Sequence, residues 1–149
     1  MRSLWNEVDR RNLHARLDRL SPNMKPLWGR MSAGQTIAHL SDWTRMAIGA
    51  IRVGSKNTPF RFPIIRQLVL YVIPLPKNLP TAPELQKSEP GVWAEDVRDL
   101  KDLMRRAVEK HGDRNARWPE HPALGPVGDN GWGVLGYRHT DHHLRQFGL

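Results

Sequence analysis

Residues 132–147 read WGVLGYRHTDHHLRQF, and their apolar and histidine positions recur with the period of an α-helix. One stripe of this helix contains Trp132, Leu135, Gly136, His139, His143, Gln146 and Phe147. The pattern predicts a helix that begins at Asp129 or Asn130, both good N-cap residues, and ends near Phe147. It also places His139 and His143 one turn apart on the face that should point into the protein.

Three other segments have the same amphipathic period, namely residues 6–20, residues 32–51 and the segment from 88–90 to Gly112. The second opens with Ser32 and Gln35 in the spacing of a capping box. Nothing in the sequence reads as a strand. The patterns predict an all-α fold, a four-helix bundle whose long connection at residues 52–88 allows a crossover between the second and third helices.

The long connection contains a short predicted helix at residues 64–72. Its apolar side chains are too numerous to remain in water. They are Ile64, Ile65, Leu68, Val69, Tyr71 and Val72. The segment is therefore expected either to cap the bundle of its own chain or to pack against a second subunit.

Length and composition narrow the class of protein. A chain of 149 residues fits one domain, residues 1–149. It contains no cysteine, which excludes disulfides and thiolate metal sites. It opens with charged residues and has no apolar run of signal-peptide or membrane-span length, so a cytoplasmic protein with no membrane partner is expected. The net charge of +8 could indicate a nucleic-acid-binding module, but the basic residues are dispersed and many adjoin acidic ones, so nucleic acid is the less favoured partner.

A third inward histidine accompanies the pair on the last helix. His39 lies on the inward stripe of the second helix, between Thr36 and Trp43. Three imidazoles from facing helices can converge on one divalent ion. Spacing alone also allows a hydrogen-bonded network of core histidines, because a single inward histidine usually has a backbone partner and an HxxxH pair is common. A metal would satisfy three buried imidazoles at once.

The other histidines leave alternatives open. His142 could replace His143 as a ligand if the last helix were rotated. His121, in a loop, could reach the mouth of the site, and an ordinary loop position is the simpler interpretation. His14 and His111 lie among polar residues and are expected at the surface.

The surroundings of the three histidines suggest how the site would work. Gln35 and Gln146 lie one turn from His39 and His143 and could donate or accept hydrogen bonds behind them. No Asp or Glu lies on the inward stripes, which disfavours a hydrolase because a general base is missing. A divalent ion on neutral imidazoles would acidify a bound water or thiol, and the thiolate is the nucleophilic form.

Two segments resemble the DinB-like superfamily of bacterial four-helix bundles. They are WGRMSAGQ at residues 28–35, which leads into His39, and YRHTDHHLRQFG at residues 137–148. Residues 76–77, 80–85 and 121–125 resemble one branch of unassigned function. The resemblance implies a crossover bundle, frequent homodimers, and a metal on His39, His139 and His143, commonly zinc or nickel.

Characterised members of that superfamily include transferases and isomerases that use low-molecular-weight thiols such as bacillithiol or mycothiol. The resemblance therefore implies a metal-dependent transferase that joins a thiol to a small electrophile. No substrate-binding signature of the family can be mapped onto this chain. A metal-binding stress-response protein without catalysis is the alternative, and a basic nucleic-acid-binding module is a third.

Overall fold

The computed structural model describes residues 1–74, 85 and 88–149. Its α-helices, in chain order, are α1 (Glu7–Arg19), α2 (Ala33–Ala47), α3 (Pro63–Tyr71), α4 (Trp93–Gly112) and α5 (Gly128–Gln146), with a 3-10 turn at Pro59–Arg61. Within these described ranges there is no strand, and a single isolated bridge joins His121 to Gly125. The predicted all-α class is confirmed. The segments at residues 76–77 and 80–84, on which part of the family resemblance rests, lie outside the described residues.

Helix α2 begins as predicted and ends earlier. The Gln35 N–H donates to the Ser32 hydroxyl (3.2 Å), and the Ser32 N–H donates to the Gln35 side chain (3.0 Å), which completes the capping box. The helix ends at Ala47 because Gly49 adopts a left-handed conformation, φ 85°. The Ala50 N–H then donates back to the Arg45 carbonyl (2.8 Å), as in a Schellman motif. The prediction of a helix to residue 51 was wrong for this reason.

The start of α4 agrees with the sequence prediction, and the start of α5 differs from it. Helix α4 begins at Trp93, after residues 88–90 as expected. Helix α5 begins at Gly128 without a side-chain cap. The Asp129 carboxylate does not cap the helix; it lies 2.7 Å from Nδ1 of His111, a tertiary contact that helical spacing cannot reveal.

The helices pack so that α2 and α5 lie side by side. Helix α2 contacts α4 and α5, and α5 also contacts α1 and α3. A first core cluster draws on α1, α2, α4 and α5 and includes Leu13, Leu17, Ile37, Leu40, Leu100, Met104 and Leu144. A second cluster includes Trp43, Met46, Leu70, Leu85, Leu124, Trp132 and Leu135. His39 lies between members of the two clusters on α2, and His139 and His143 lie between members of the two clusters on α5.

The N-terminal segment packs against α5 through two glycines. The Leu4 N–H donates to the Gly133 carbonyl (3.0 Å). A Cβ at Gly136 would lie 2.3 Å from Cδ1 of Leu4, closer than any real contact. Glycine at this position therefore allows Leu4 to enter the first core cluster, which fixes one side of the helix that carries two of the three histidines.

Helix α3 packs on its own chain and still exposes apolar side chains. Leu70 is buried in the second cluster, and the Arg138 guanidinium donates to the Val69 carbonyl (2.8 Å). Phe62, Ile64 and Val72 are nonetheless 65%, 78% and 67% exposed. The predicted packing against the segment's own chain is thus confirmed for Leu70, and other apolar side chains of the segment remain exposed. No helix of the described chain is long and apolar enough to cross a membrane.

Candidate metal centre

The three predicted histidines converge between α2 and α5. Nε2 of His139 lies 3.1 Å from Nε2 of His39 and 3.2 Å from Nε2 of His143. One nitrogen from each ring falls within 4.8 Å of the other two. Among the described residues, this is the one group of three or more His, Cys, Asp or Glu side chains with metal-binding geometry. The structure therefore brings together the set predicted from the sequence.

The ring of His39 is oriented by a main-chain carbonyl. Its Nδ1 lies 3.1 Å from the carbonyl oxygen of Leu85, which can only accept a hydrogen bond. Nδ1 must therefore carry the proton. Nε2 of the neutral ring then has a bare lone pair, and it points toward the other two histidines.

The ring of His143 is oriented by Gln146 in the same way. The Gln146 amide nitrogen donates to the Trp28 carbonyl (2.7 Å), so the amide oxygen is free to accept from Nδ1 of His143 at 3.0 Å. His143 thus also presents a bare Nε2 to the centre. The prediction that Gln146 would lie behind His143 is confirmed.

The third ring, His139, faces these two lone pairs. Its Nδ1 is buried and has no hydrogen-bond partner among the described residues. If His139 carries its proton on Nδ1, three lone pairs converge. If the proton is on Nε2, it can be donated well to only one of the two facing nitrogens. A hydrogen-bonded network of neutral histidines therefore leaves at least one buried nitrogen unsatisfied, which is costly.

A divalent ion resolves this conflict, and the distances fit one. Zinc–nitrogen bonds of about 2.0–2.1 Å in a tetrahedral site separate neighbouring ligand nitrogens by about 3.3 Å. The observed separations of 3.1 and 3.2 Å are close to that value. Carbonyl and amide partners behind two ligands are also the usual outer contacts of metal-binding histidines.

Burial keeps the three rings in the neutral form that binds metal. It is the main cause of a lowered pKa for His39, which the Leu85 carbonyl and Asp42 partly offset. Burial lowers the pKa of His143 to about 3, with a further contribution from His39. Burial again, followed by the neighbouring His143 and His39, holds the pKa of His139 well below its usual value. At neutral pH the three imidazoles are therefore uncharged, and each can bind a metal ion through a nitrogen lone pair.

Indole rings close one side of the centre. The Trp43 ring lies 5.0 Å from the His139 ring, and the Trp132 ring packs edge-on against Trp43 at 5.5 Å. His39 and His143 are buried, whereas His139 is only half-buried.

His142 and His121 stand outside the three-nitrogen group. His142 packs edge-on against His143 at 5.3 Å and is half-buried, so α5 is rotated to present His143 inward. Nδ1 of His121 accepts hydrogen bonds from the Ala123 and Leu124 N–H groups, both at 3.2 Å. Burial lowers the pKa of His121 to about 4. His121 is thus a half-buried loop residue whose Nδ1 is already occupied.

The two histidines expected at the surface are both half-buried. His111 stacks on Trp5 at 4.7 Å and contacts the Asp129 carboxylate. Nε2 of His14 is buried without a partner among the described residues, and burial lowers its pKa. The polar sequence neighbours of His14 and His111 led to the prediction that both are exposed. Their contacts come from the N-terminal segment and from packing between helices, which the local sequence does not show.

Sequence reasoning missed the groups that hold the histidines in place. The Leu85 and Trp28 carbonyls are main-chain atoms and leave no residue-type signal. Gln35 is used in the capping box, so the prediction that it supports His39 was wrong. The prediction of no inward acid was also wrong, because Asp42, one turn after His39, is 2% exposed. Its position three residues after an inward histidine was a signal that could have been used.

Comparison of the chain with family models, with curated proteins and with solved structures gives no match.

Proposed function

We propose that the protein binds one divalent transition-metal ion, zinc or nickel, through His39, His139 and His143. One observation carries this proposal: the Nε2 atoms of His39, His139 and His143 face one another at 3.1 and 3.2 Å, and separate partners fix two of them as lone-pair donors. Such an arrangement is unfavourable without a cation and favourable with one.

The donor set is that of a reactive metal centre. Three protein ligands with a further open position are typical of catalytic zinc, whereas structural sites have four. A divalent ion on three neutral ligands would supply a net positive charge that acidifies a bound thiol or water. The chain's own residues would orient the imidazoles, through Leu85 and Gln146, and exclude water on the side of Trp43.

We further propose that the chain is a DinB-like protein, with α1, α2, α4 and α5 as a crossover four-helix bundle. The resemblance of residues 28–35 and 137–148 supports this assignment, as does the placement of one candidate ligand, His39, on α2 and two, His139 and His143, on α5. On this basis the reaction is the transfer of a low-molecular-weight thiol to a small electrophile. The alternative is a metal-binding stress-response protein without catalysis.

The metal stoichiometry tests the first part of the proposal. Protein purified without a nickel column and reloaded with zinc or nickel is expected to hold about one ion per chain at full occupancy. Elemental analysis after removal of free metal measures this ratio. A ratio near zero for both ions at neutral pH would refute the site.

The transferase proposal predicts a metal-dependent loss of free thiol. Zinc-loaded protein should accelerate the reaction of bacillithiol or mycothiol with chlorodinitrobenzene, in which the thiolate sulfur displaces chloride and the thiol proton is released. The same protein after chelation, and a His139→Ala variant, should not. If zinc-loaded protein and the variant give equal rates across a panel of electrophiles, the non-catalytic alternative is favoured.

The apolar side chains exposed on α3 and at its two ends predict self-association. The resemblance implies homodimers, and Phe62, Ile64 and Val72 are the large apolar side chains that a second copy would cover. Sedimentation at micromolar concentration should detect a dimer, and Ile64→Asp should shift it to monomer. Val8→Asp is the matched control, because Val8 is 74% exposed on α1. If the wild-type protein sediments only as a monomer, the predicted dimer is refuted.

A further inference from the structure

We infer that Asp42 is a positioning residue of the metal centre: by binding Ser88, it holds the Leu85 carbonyl against Nδ1 of His39. This inference rests on the proposed metal site.

The Asp42 carboxylate accepts two hydrogen bonds from Ser88. One carboxylate oxygen accepts from the Ser88 hydroxyl at 2.7 Å, and the other accepts from the Ser88 N–H at 3.2 Å. The same carboxylate accepts from the Arg45 guanidinium at 2.9 Å. A buried carboxylate is costly unless its oxygens are hydrogen-bonded, and these three donors meet that requirement. The two bonds to Ser88 connect α2 with the segment that precedes α4.

Ser88 is three residues after Leu85, so its anchorage restricts where the Leu85 carbonyl can lie. An extended chain spans at most about 3.3–3.6 Å per residue, which keeps the two Cα atoms within about 11 Å. Leu85 is itself buried in the second core cluster. Leu85 is thus held by an apolar contact, and Ser88 is held by a polar one.

His39 and Asp42 are three residues apart on α2 and therefore project from neighbouring positions of one helix face. The helix that carries the ligand also carries the carboxylate that fixes the ligand's hydrogen-bond partner. Since the Leu85 carbonyl sets the proton on Nδ1, loss of the Ser88 anchor should let the ring turn or change tautomer. A turned ring points its Nε2 lone pair away from the ion, and the other tautomer has a proton on Nε2 in place of the lone pair.

Zinc affinity, measured by competition with a chromophoric chelator near pH 7.5, tests this inference. Asp42→Asn and Ser88→Ala should each weaken zinc binding by about 10–100-fold, the range typical of outer contacts to metal ligands. The double variant should be no weaker than the worse single variant, because both remove the same connection. Ser88→Thr keeps the hydroxyl and should retain wild-type affinity. Arg45→Gln removes the ion pair of Asp42 without touching Ser88 and should also retain it.

A second measurement distinguishes positioning from general stability. The Nδ1 proton of His39 should give a slowly exchanging NMR signal, because the Leu85 carbonyl holds it. Ser88→Ala should abolish that signal while the melting temperature of the metal-free protein stays close to that of Arg45→Gln. If Asp42→Asn proves unstable, Ser88→Ala and Ser88→Thr carry the test alone.

Several outcomes would overturn the inference. Weaker binding in Asp42→Asn with normal binding in Ser88→Ala would mean that the carboxylate acts on His39 through its charge. A lowered melting temperature with unchanged zinc affinity in both variants would mean that the connection is only structural. Failure of the wild-type protein to bind zinc would refute the proposed function itself. Normal wild-type binding that His139→Ala abolishes and the Ser88 variants do not affect would refute only the role of Asp42.

Discussion

Replacing any one of His39, His139 and His143 by alanine is expected to abolish tight binding of zinc or nickel, whereas His142→Ala should largely spare it. Each ligand contributes one of three converging Nε2 atoms, and removal of one leaves only two protein ligands. His142 packs against His143 and has no nitrogen within the group of three. We expect a loss of more than about 100-fold in affinity for each ligand variant, beyond the range for outer contacts.

His142→Ala is the matched control because it lies next to His143 on α5 and removes the same number of atoms. Isothermal titration with zinc, on protein shown by circular dichroism to be helical, measures the difference. The reverse result, in which His142→Ala abolishes binding and His143→Ala spares it, would mean that α5 is rotated relative to the structure described here.

Removing the metal near neutral pH is expected to lower the melting temperature by several degrees without unfolding the helices. An ion at a hundredfold excess over its Kd stabilises the folded state by about 2.7 kcal/mol. A chain of this size loses roughly 2–4 °C per kcal/mol, so chelation should cost about 5–10 °C. The helices should persist because both core clusters consist of apolar side chains from several helices.

Calorimetry with and without a chelator, on protein first shown to contain metal, measures this shift. The His139→Ala variant serves as the control, since it should have the same melting temperature in both conditions. An unchanged melting temperature in the wild-type protein would place the ion at a peripheral histidine such as His14 or His111, and the centre between α2 and α5 would not be its site.

Acidification should release the metal and then weaken the metal-free fold. Protons compete with the ion for the three imidazoles, so release is expected at about pH 5. In the metal-free protein, burial holds the pKa of His143 near 3 and that of His121 near 4, whereas unfolded histidine titrates near 6.5. The unfolded chain therefore takes up protons first as the pH falls.

The sign of the effect follows from this difference. Stability from the neutral buried histidines is complete above about pH 6.5 and is lost progressively toward the folded-state values. Melting temperatures of metal-free protein between pH 7.5 and pH 4 should decline in this window. A flat profile would contradict the burial of these rings.

The amino-acid sequence by itself was enough to predict the helical class and the convergence of His39, His139 and His143. Helix period, the Ser32–Gln35 capping box and the i, i+4 spacing of His139 and His143 are local properties, each expressed within one or two turns. The rotation of α5 also followed from its own stripe, because Trp132, Leu135 and Gln146 are buried on the same side as His143. The predicted ends of the helices were less accurate. Gly49 adopts a left-handed conformation that ends α2 early, and the Asp129 carboxylate contacts His111 instead of capping α5.

Only the tertiary structure decided what holds the three imidazoles in place. The carbonyls of Leu85 and Trp28 are present in every residue, so no side-chain pattern marks them as partners. The inward position of Asp42 can be deduced from its spacing to His39, but its partner Ser88, 46 residues away along the chain, cannot. These contacts join segments distant in sequence, and their energies depend on burial that exists only after the helices pack. The ligands of such a site can be predicted from a pattern of residue types. The groups that orient those ligands are determined by the packing of the helices.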